Sequence, residues 1–298
     1  MDGILNIYKE QGFTSHDVVA KLRGICKQKK IGHTGTLDPD AVGVLPVCLG
    51  KATKVCDLLT DKNKTYEAML QLGVVTDTQD MSGEILSKKE VSVSRDEIEE
   101  AVMSFVGEYD QIPPMYSALK VNGKKLYELA REGKVVERKA RRITIYDIQI
   151  SEINMEQKTV TMTVSCSKGT YIRTLCHDIG EKLGCGGAMA TLKRTKVSSF
   201  MIEDSLTLSE VEELVKADTI EEHLVKVDAM FSNLLAVTVS KKYQKYVDNG
   251  NKIEISFLTE PIRTSPNQEF CVYDEEQRFV GIFEAENRKT LKPKKMFL

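Results

Sequence analysis

The chain of 298 residues contains no apolar run approaching the roughly 20 residues a helix needs to cross a bilayer. Its start, MDGILNIYKEQGF, has no basic stretch followed by an apolar one. A soluble, unsecreted protein is expected. Seven cysteines, at 26, 48, 56, 166, 176, 185 and 271, form no Cys-x-x-Cys pair. An odd, scattered set in a chain this long gives no disulfide framework and fits a reducing cytoplasm. There are only four histidines, none at metal-ligand spacing from a cysteine pair, so no metal is expected. Internal repeats and low-complexity segments are also missing.

Net charge is nearly absent as well, at −2. The sum conceals an uneven distribution. From Met115 to Ile143 there are nine Lys/Arg against three acids, and from Cys166 to Val197 six against two. From Ile202 to Asp228 nine acids face two lysines, and from Glu84 to Asp110 eight acids face three bases. One basic face and an acidic back would sum to this value, and such a face can orient a polyanion. Solvated helix faces are the plainer reading of either basic segment alone.

The length favours one large domain and a smaller one. Ser15 is placed to cap a helix reaching about Lys30, with Val18, Leu22, Ile25 and Cys26 inward. TYEAMLQLG alternates as a strand with Tyr66, Ala68, Leu70 and Leu72 on one face. Ser94 and Glu97 form a capping box ahead of the stripe Ile98, Ala101, Val102 and Phe105. Residues 143–150 and 158–166 read as a hairpin, and a helix follows from near Thr170 to about Leu183. TLSEVEELVK opens another capped helix. Beyond about Leu234 short β-like runs separated by turns suggest a small β-barrel.

The most concentrated chemistry lies in residues 32–54, GHTGTLDPDAVGVLPVCLGKATK. One carboxylate, Asp38, stands in a glycine- and proline-shaped loop with no His–Ser or Cys–His pair nearby. Asp before Pro is ordinary turn chemistry. A phosphate cradle would need the G-x-x-x-x-G-K-[ST] spacing, which is missing. A calcium loop would need more oxygen donors than Asp38 and Asp40 provide. The remaining reading is a carboxylate nucleophile or base acting on a substrate held elsewhere.

This stretch resembles the catalytic signature of the TruB family, the pseudouridine synthases that modify the TΨC arm of tRNA. KTYEAMLQLG, IPPMYSALKVNGKKLYELAREG, CSKGTYIRTLCHDIGEKLGCG and LKRTKVSSF resemble the family's other blocks, in order. The resemblance implies an α+β fold: a pseudouridine-synthase catalytic domain on a mixed, largely antiparallel sheet with flanking helices (1–232), carrying an RNA-clamping insertion at about 115–142. A small β-barrel-like PUA domain would follow (233–298). It implies Asp38 as the residue that attacks the target nucleoside, at C6 of the base or C1′ of the sugar. Tyr66 would stack on the uracil, and Arg173 would pair with the carboxylate and hold it ionised by lowering its pKa. Tyr171 and Leu192 would line the uridine pocket, and His33 would fill the space left by the flipped nucleotide.

Lys9 is a further substrate-binding candidate, although Tyr8-Lys9-Glu10 stands where relatives often read Asp-Lys-Pro. Val42 departs from a frequent threonine. In the insertion, which the family shows as flexible, Lys120, Lys124, Lys125, Arg131, Lys134 and Arg138 are candidates for phosphate contacts. The implied partner is tRNA, through its TΨC arm and, by the C-terminal domain, its acceptor stem. No cofactor, membrane or obligate protein partner is expected, and the chain is expected to be a cytoplasmic monomer. The rivals are a guide-RNA-dependent relative working in a ribonucleoprotein and an RNA-binding protein or tRNA folding helper.

Overall fold

The computed structural model describes residues 1–121 and 123–298, so Asn122, in the insertion, lies outside the described residues. The chain begins with β1 (Gly3–Lys9), α1 (Ser15–Ile25), β2 (Ile31–His33), β3 (Val42–Leu49), α2 (Cys56–Thr60) and β4 (Lys64–Leu72). Next come β5 (Val74–Thr76), β6 (Ile85–Lys88), α3 (Arg95–Met103) and β7 (Gly107–Gln111). The insertion supplies β8 (Lys120–Val121), β9 (Lys124–Lys125) and α4 (Leu126–Arg131). It is followed by β10 (Arg141–Asn154), β11 (Thr159–Cys166), α5 (Ile172–Lys182), β12 (Gly187–Val197), β13 (Phe200–Met201) and α6 (Leu208–Lys216).

The main sheet runs in the order β1-β3-β12-β4-β11-β10-β7, with β2 added on β3 and β13 on β12. Among the described residues its pairings are antiparallel except β3 with β12, where Val42 faces Lys193 and Gly43 faces Arg194. The sheet is therefore mixed and largely antiparallel. β4 alternates as its sequence requires, with Tyr66, Ala68, Leu70 and Leu72 buried. They share a core with α3 and with Ile172, Leu175, Cys176 and Ile179 of α5.

β3 is covered on both faces, which explains its nearly unbroken apolar run. Leu45, Val47 and Leu49 pack on α1 and α6, while Val44 and Cys48 pack with Cys271, Ile282 and Phe297 from the C-terminal sheet. That second sheet contains β14 (Leu235–Val239), β15 (Ile253–Glu254), β16 (Glu269–Asp274), β17 (Phe279–Ala285) and β18 (Thr290–Met296), ordered β14-β16-β17-β18-β15, with α7 (Gln244–Asp248) beside it. Backbone bonds from Ser240 to Phe257 and from Thr259 to Thr238 join its two ends, curling it into a barrel-like form consistent with a PUA-like module.

Two boundaries differ from the sequence expectation. Thr14, not Ser15, caps α1, in a capping box with Asp17. The helix stops at Ile25 rather than near Lys30, because Lys27 turns left-handed (φ 49°) and Ile31 must start β2. The capping box at Ser94–Glu97 is present as read, and the capped helix of TLSEVEELVK carries a second box, Thr207–Glu210.

The β3–β12 junction depends on Gly43, whose φ is 104°. A Cβ there would fall inside contact distance of the Arg194 carbonyl oxygen, a backbone atom that cannot swing away. Gly43→Ala is expected to destabilise the fold by about 2–4 kcal/mol, from the left-handed strain and the forced strand separation. A denaturation midpoint equal to wild type would contradict this.

Candidate active site

The Asp38 loop is pinned on both sides of its carboxylate. The Leu37 N–H donates to Ser15 Oγ at 3.0 Å. The Pro39 carbonyl accepts from the Gly12 N–H at 3.0 Å and from Lys9 Nζ at 3.0 Å. Lys9 also donates to the carbonyls of Phe13 (2.6 Å) and Glu10 (3.1 Å). Its three ammonium hydrogens are thus used on backbone, and the residue is fully buried. Burial lowers its pKa to about 8, against the attraction of Asp38 and Asp40. Lys9 is a loop anchor here, its three donors taken by backbone carbonyls.

Arg173 stands in the first turn of α5, and its guanidinium is nearly buried. Its Nε lies 3.2 Å from Asp38 Oδ2, bringing together two residues 135 positions apart in sequence. One terminal nitrogen reaches Asp80 Oδ2 at 3.2 Å and the Thr78 carbonyl at 3.3 Å, and the other donates to the Tyr116 carbonyl at 2.8 Å. The Asp38 side chain keeps 42% of its surface open beside the nearly buried guanidinium.

Burial pushes the Asp38 carboxyl above the usual carboxylate range. Arg173 and Lys9 oppose the rise, and Asp80 and Asp40 add to it. The expected net lowering by Arg173 is therefore not found. The physical reason is that desolvation dominates and that Arg173 divides its charge between two carboxylates.

Tyr66 is buried on β4 opposite Arg194 of β12, and its pKa is raised by burial. Arg194 is itself enclosed, donating from Nε to the Val44 carbonyl at 2.7 Å. Tyr171 caps the start of α5 and is held through its backbone by Gln111, whose amide accepts from its N–H (2.8 Å) and donates to its carbonyl (3.0 Å). Both tyrosines sense the charge of Asp38. Leu192 is half-buried on β12 opposite Ala68. His33 faces a separate cavity beside His16, their rings meeting edge-on at 5.0 Å.

The insertion has a small core of its own, Met115, Leu126 and Leu129. Lys120, Lys124, Arg131 and Lys134 are exposed on it. Lys124 and Lys134 share Glu132 at 3.6 and 2.7 Å, while Lys125 and Arg131 lie over the Tyr127 ring. Arg138 is half-buried and donates to the Pro113 carbonyl at 3.2 Å, so it braces the insertion.

Asp80 escaped the sequence reading. It sits in TDTQDMSG between β5 and β6, where Thr78 and Ser82 donate to its other oxygen at 2.8 and 2.6 Å. A run of acids and hydroxyls between strands was its one local signal. Ser15, Gln111 and Arg194 were equally hidden, because each acts through a partner far along the chain.

Comparison with known proteins matches residues 23–172 to the TruB family pseudouridylate synthase N-terminal domain and residues 173–233 to the tRNA pseudouridylate synthase B C-terminal domain. The chain belongs to the TruB family. Its curated relatives include the tRNA pseudouridine synthase B of Lachnoclostridium phytofermentans, 56% identical with both chains fully covered. That of Clostridium novyi is 49% identical, again over the whole of both chains. Among solved structures, a chain of a Cbf5–Nop10–Gar1 complex superposes with a TM-score of 0.72 at 28% identity, covering 99% of this chain and 85% of that one. An H/ACA ribonucleoprotein bound to a substrate RNA containing 2′-deoxyuridine gives 0.71 at 26%. This TruB-family chain is an enzyme, an isomerase that converts uridine to pseudouridine.

Because the folded Asp38 pKa is raised, the native state holds that proton more tightly than the unfolded chain does. Stability is then lost as pH rises from the ordinary aspartate range through the raised value. Asp38→Asn is expected to raise the Tm at neutral pH, with the gain vanishing in acid below the ordinary aspartate pKa. A gain that is the same at both pH values, or a loss at neutral pH, would contradict the assignment. Lys9→Met takes the lysine's donor from the Glu10 and Phe13 carbonyls and leaves the Pro39 carbonyl with the Gly12 N–H alone, and is expected to cost about 1–3 kcal/mol in denaturant melts and to slow isomerisation. An unchanged midpoint would remove Lys9 as the loop anchor.

Proposed function

We propose that this chain converts the uridine at position 55, in the TΨC loop of tRNA, to pseudouridine, with Asp38 attacking the target nucleoside and without a guide RNA. The observation that carries the reading is the 3.2 Å pair of Asp38 and Arg173, whose carboxylate charge is felt at Tyr66 and Tyr171.

An isomerisation balances without a cofactor. The N-glycosidic bond breaks, the base turns, C5 joins C1′, and the proton lost from C5 is matched by one gained at N1. The site must supply a nucleophile, a base for the C5 proton and a pocket that retains the detached uracil. Asp38 is the nucleophile, Tyr66 stacks on the base and takes the C5 proton as a phenolate that the charge of Arg194 favours against the burial opposing it, and Tyr171 and Leu192 enclose the uracil. Arg173 favours the ionised carboxylate against the burial that opposes it. Extruding the nucleotide costs a few kcal/mol of stacking, which contacts inside the pocket must offset. His33 occupies the place the nucleotide vacates.

The insertion would clamp the RNA arm with Lys120, Lys124, Lys125, Arg131 and Lys134. Their exposed pairings are worth little in water, so exchanging Glu132 for a phosphate is cheap. Residues 1–232 would carry the chemistry and residues 233–298 would contact the acceptor stem. The enzyme would work as a cytoplasmic monomer with no obligate protein partner, and it would also assist tRNA folding. Whole-chain relatives named tRNA pseudouridine synthase B, at 49–56% identity, support the guide-free reading over the more distant Cbf5 structures.

The test is purified protein alone with an unmodified tRNA transcript, scored position by position. Conversion confined to position 55 is expected, and Asp38→Asn should abolish it while RNA binding stays within about twofold, since phosphate contacts supply most affinity. Wild-type conversion by that variant would end the mechanism. Conversion only with an added guide RNA would favour the ribonucleoprotein reading.

A further inference from the structure

Seven cysteines are scattered through the sequence, and the fold brings two of them together. Cys48 on β3 stands directly opposite Gly32 on β2, so the side-chain positions of these two residues leave the same face, about 5 Å apart. Gly32 has no side chain, and a Cβ built there would lie 3.2 Å from Cys56 Sγ. The Cys56 sulfur thus occupies space beside Cys48 that a glycine leaves open. Both cysteines pack into one apolar cluster, Cys48 fully buried within it and Cys56 partly buried against it. The Cys48 thiol donates a hydrogen bond to the Cys56 sulfur.

The two sulfurs differ in exposure and in acidity. Cys56 alone of the seven cysteines is not buried, and it opens on a cleft of about 520 Å³ between α1 and β2. Arg23, Lys29 and Lys30 line that cleft and, among the described residues, no carboxylate does. The hydrogen bond from Cys48 lowers the Cys56 pKa, helped by Lys295 and opposed by burial and by Asp57. The other thiols are pushed up, Cys48 by this bond and by burial, and Cys26, Cys166, Cys176, Cys185 and Cys271 by burial. The thiolate is the reactive form of a cysteine, so Cys56 is the sulfur that an electrophile meets first.

We propose that Cys48 and Cys56 form a dithiol that hydrogen peroxide oxidises reversibly to a disulfide, a modification site outside the catalytic machinery. The Cys56 thiolate attacks one peroxide oxygen and the O–O bond breaks. The hydroxide that leaves meets the proton the thiol had given up, forming water, and Cys56 becomes a sulfenic acid. The Cys48 sulfur then attacks the Cys56 sulfur, the S–O bond breaks, and the departing hydroxide takes the Cys48 proton. In sum two thiols and one peroxide give one disulfide and two waters, the sulfurs supplying the two electrons that the peroxide gains. Exchange with a small-molecule thiol restores the pair, so such a bond is transient in a reducing compartment. It would join β3, the strand after the Asp38 loop, to α2, which leads into β4 and Tyr66.

The test treats the native protein with hydrogen peroxide, blocks free thiols with N-ethylmaleimide in denaturant and digests with trypsin, which cuts at Lys51 and Lys54 between the two cysteines. A cross-linked Cys48–Cys56 peptide pair is expected, two hydrogens lighter than its parts and separated by dithiothreitol, with the other five cysteines carrying the maleimide. In Cys48→Ala the sulfenic acid has no resolving partner and should accumulate on Cys56, where dimedone traps it. Cys56→Ala should slow the oxidation of Cys48 by about tenfold or more. Recovery of both Cys48 and Cys56 as maleimide adducts, or of Cys56 as a sulfinic acid with Cys48 still free, overturns the proposal. The wild-type cross-link requires no variant, so the test stands even where a variant fails to fold.

Discussion

One guanidinium holds the site together. Arg173 reaches Asp38, the Thr78–Asp80 loop and the Tyr116 carbonyl of the insertion, so three loops distant in sequence share a single anchor. Only a planar fork with five donors can serve partners in this many directions, and a lysine in its place would satisfy one or two. The anchor is itself fixed by α5, whose Leu175, Cys176 and Ile179 are fully buried against the sheet. Gly180 allows that helix to approach the Gly186–Gly187 backbone closely, where any Cβ would collide.

Around this anchor, the Asp38 loop is prepared before any substrate arrives. Ser15 and Lys9 fix the backbone on either side of the carboxylate, so the loop keeps little conformational freedom. Electrostatics act in opposition to this order. Burial and Asp80 raise the proton affinity of Asp38 while Arg173 and Lys9 restrain it. The result is a carboxylate that is positioned rigidly and held at a cost in stability, a common arrangement at reactive sites.

The cations outside the main sheet fall into two kinds. Those on the insertion are held in weak surface pairs or over Tyr127, ready to exchange partners, and Arg138 is withdrawn into structure. Those between α1 and β2 have no carboxylate partner among the described residues. Composition counted by segment found the first group and passed over the second. The cleft draws its charges from a helix end, a connecting turn and a strand, so no single element looks basic enough to attract notice.

Local patterns were sufficient for much of this chain. The alternation of β4, the capping boxes of α3 and α6 and the buried stripe of α5 are short-range physics, and each appears where its residues require it. The family signature around Asp38 was legible for the same reason, since a shaped loop is written in consecutive residues. Tertiary structure alone decided the rest. Ser15 reads as a cap, but its hydroxyl meets Leu37, and Thr14 takes the cap. Lys9 reads as a ligand contact, but three carbonyls consume its donors. Asp80 joins Asp38 only because Arg173 lies between them, and its effect on the carboxylate's proton depends on a through-space distance that no spacing in the sequence encodes.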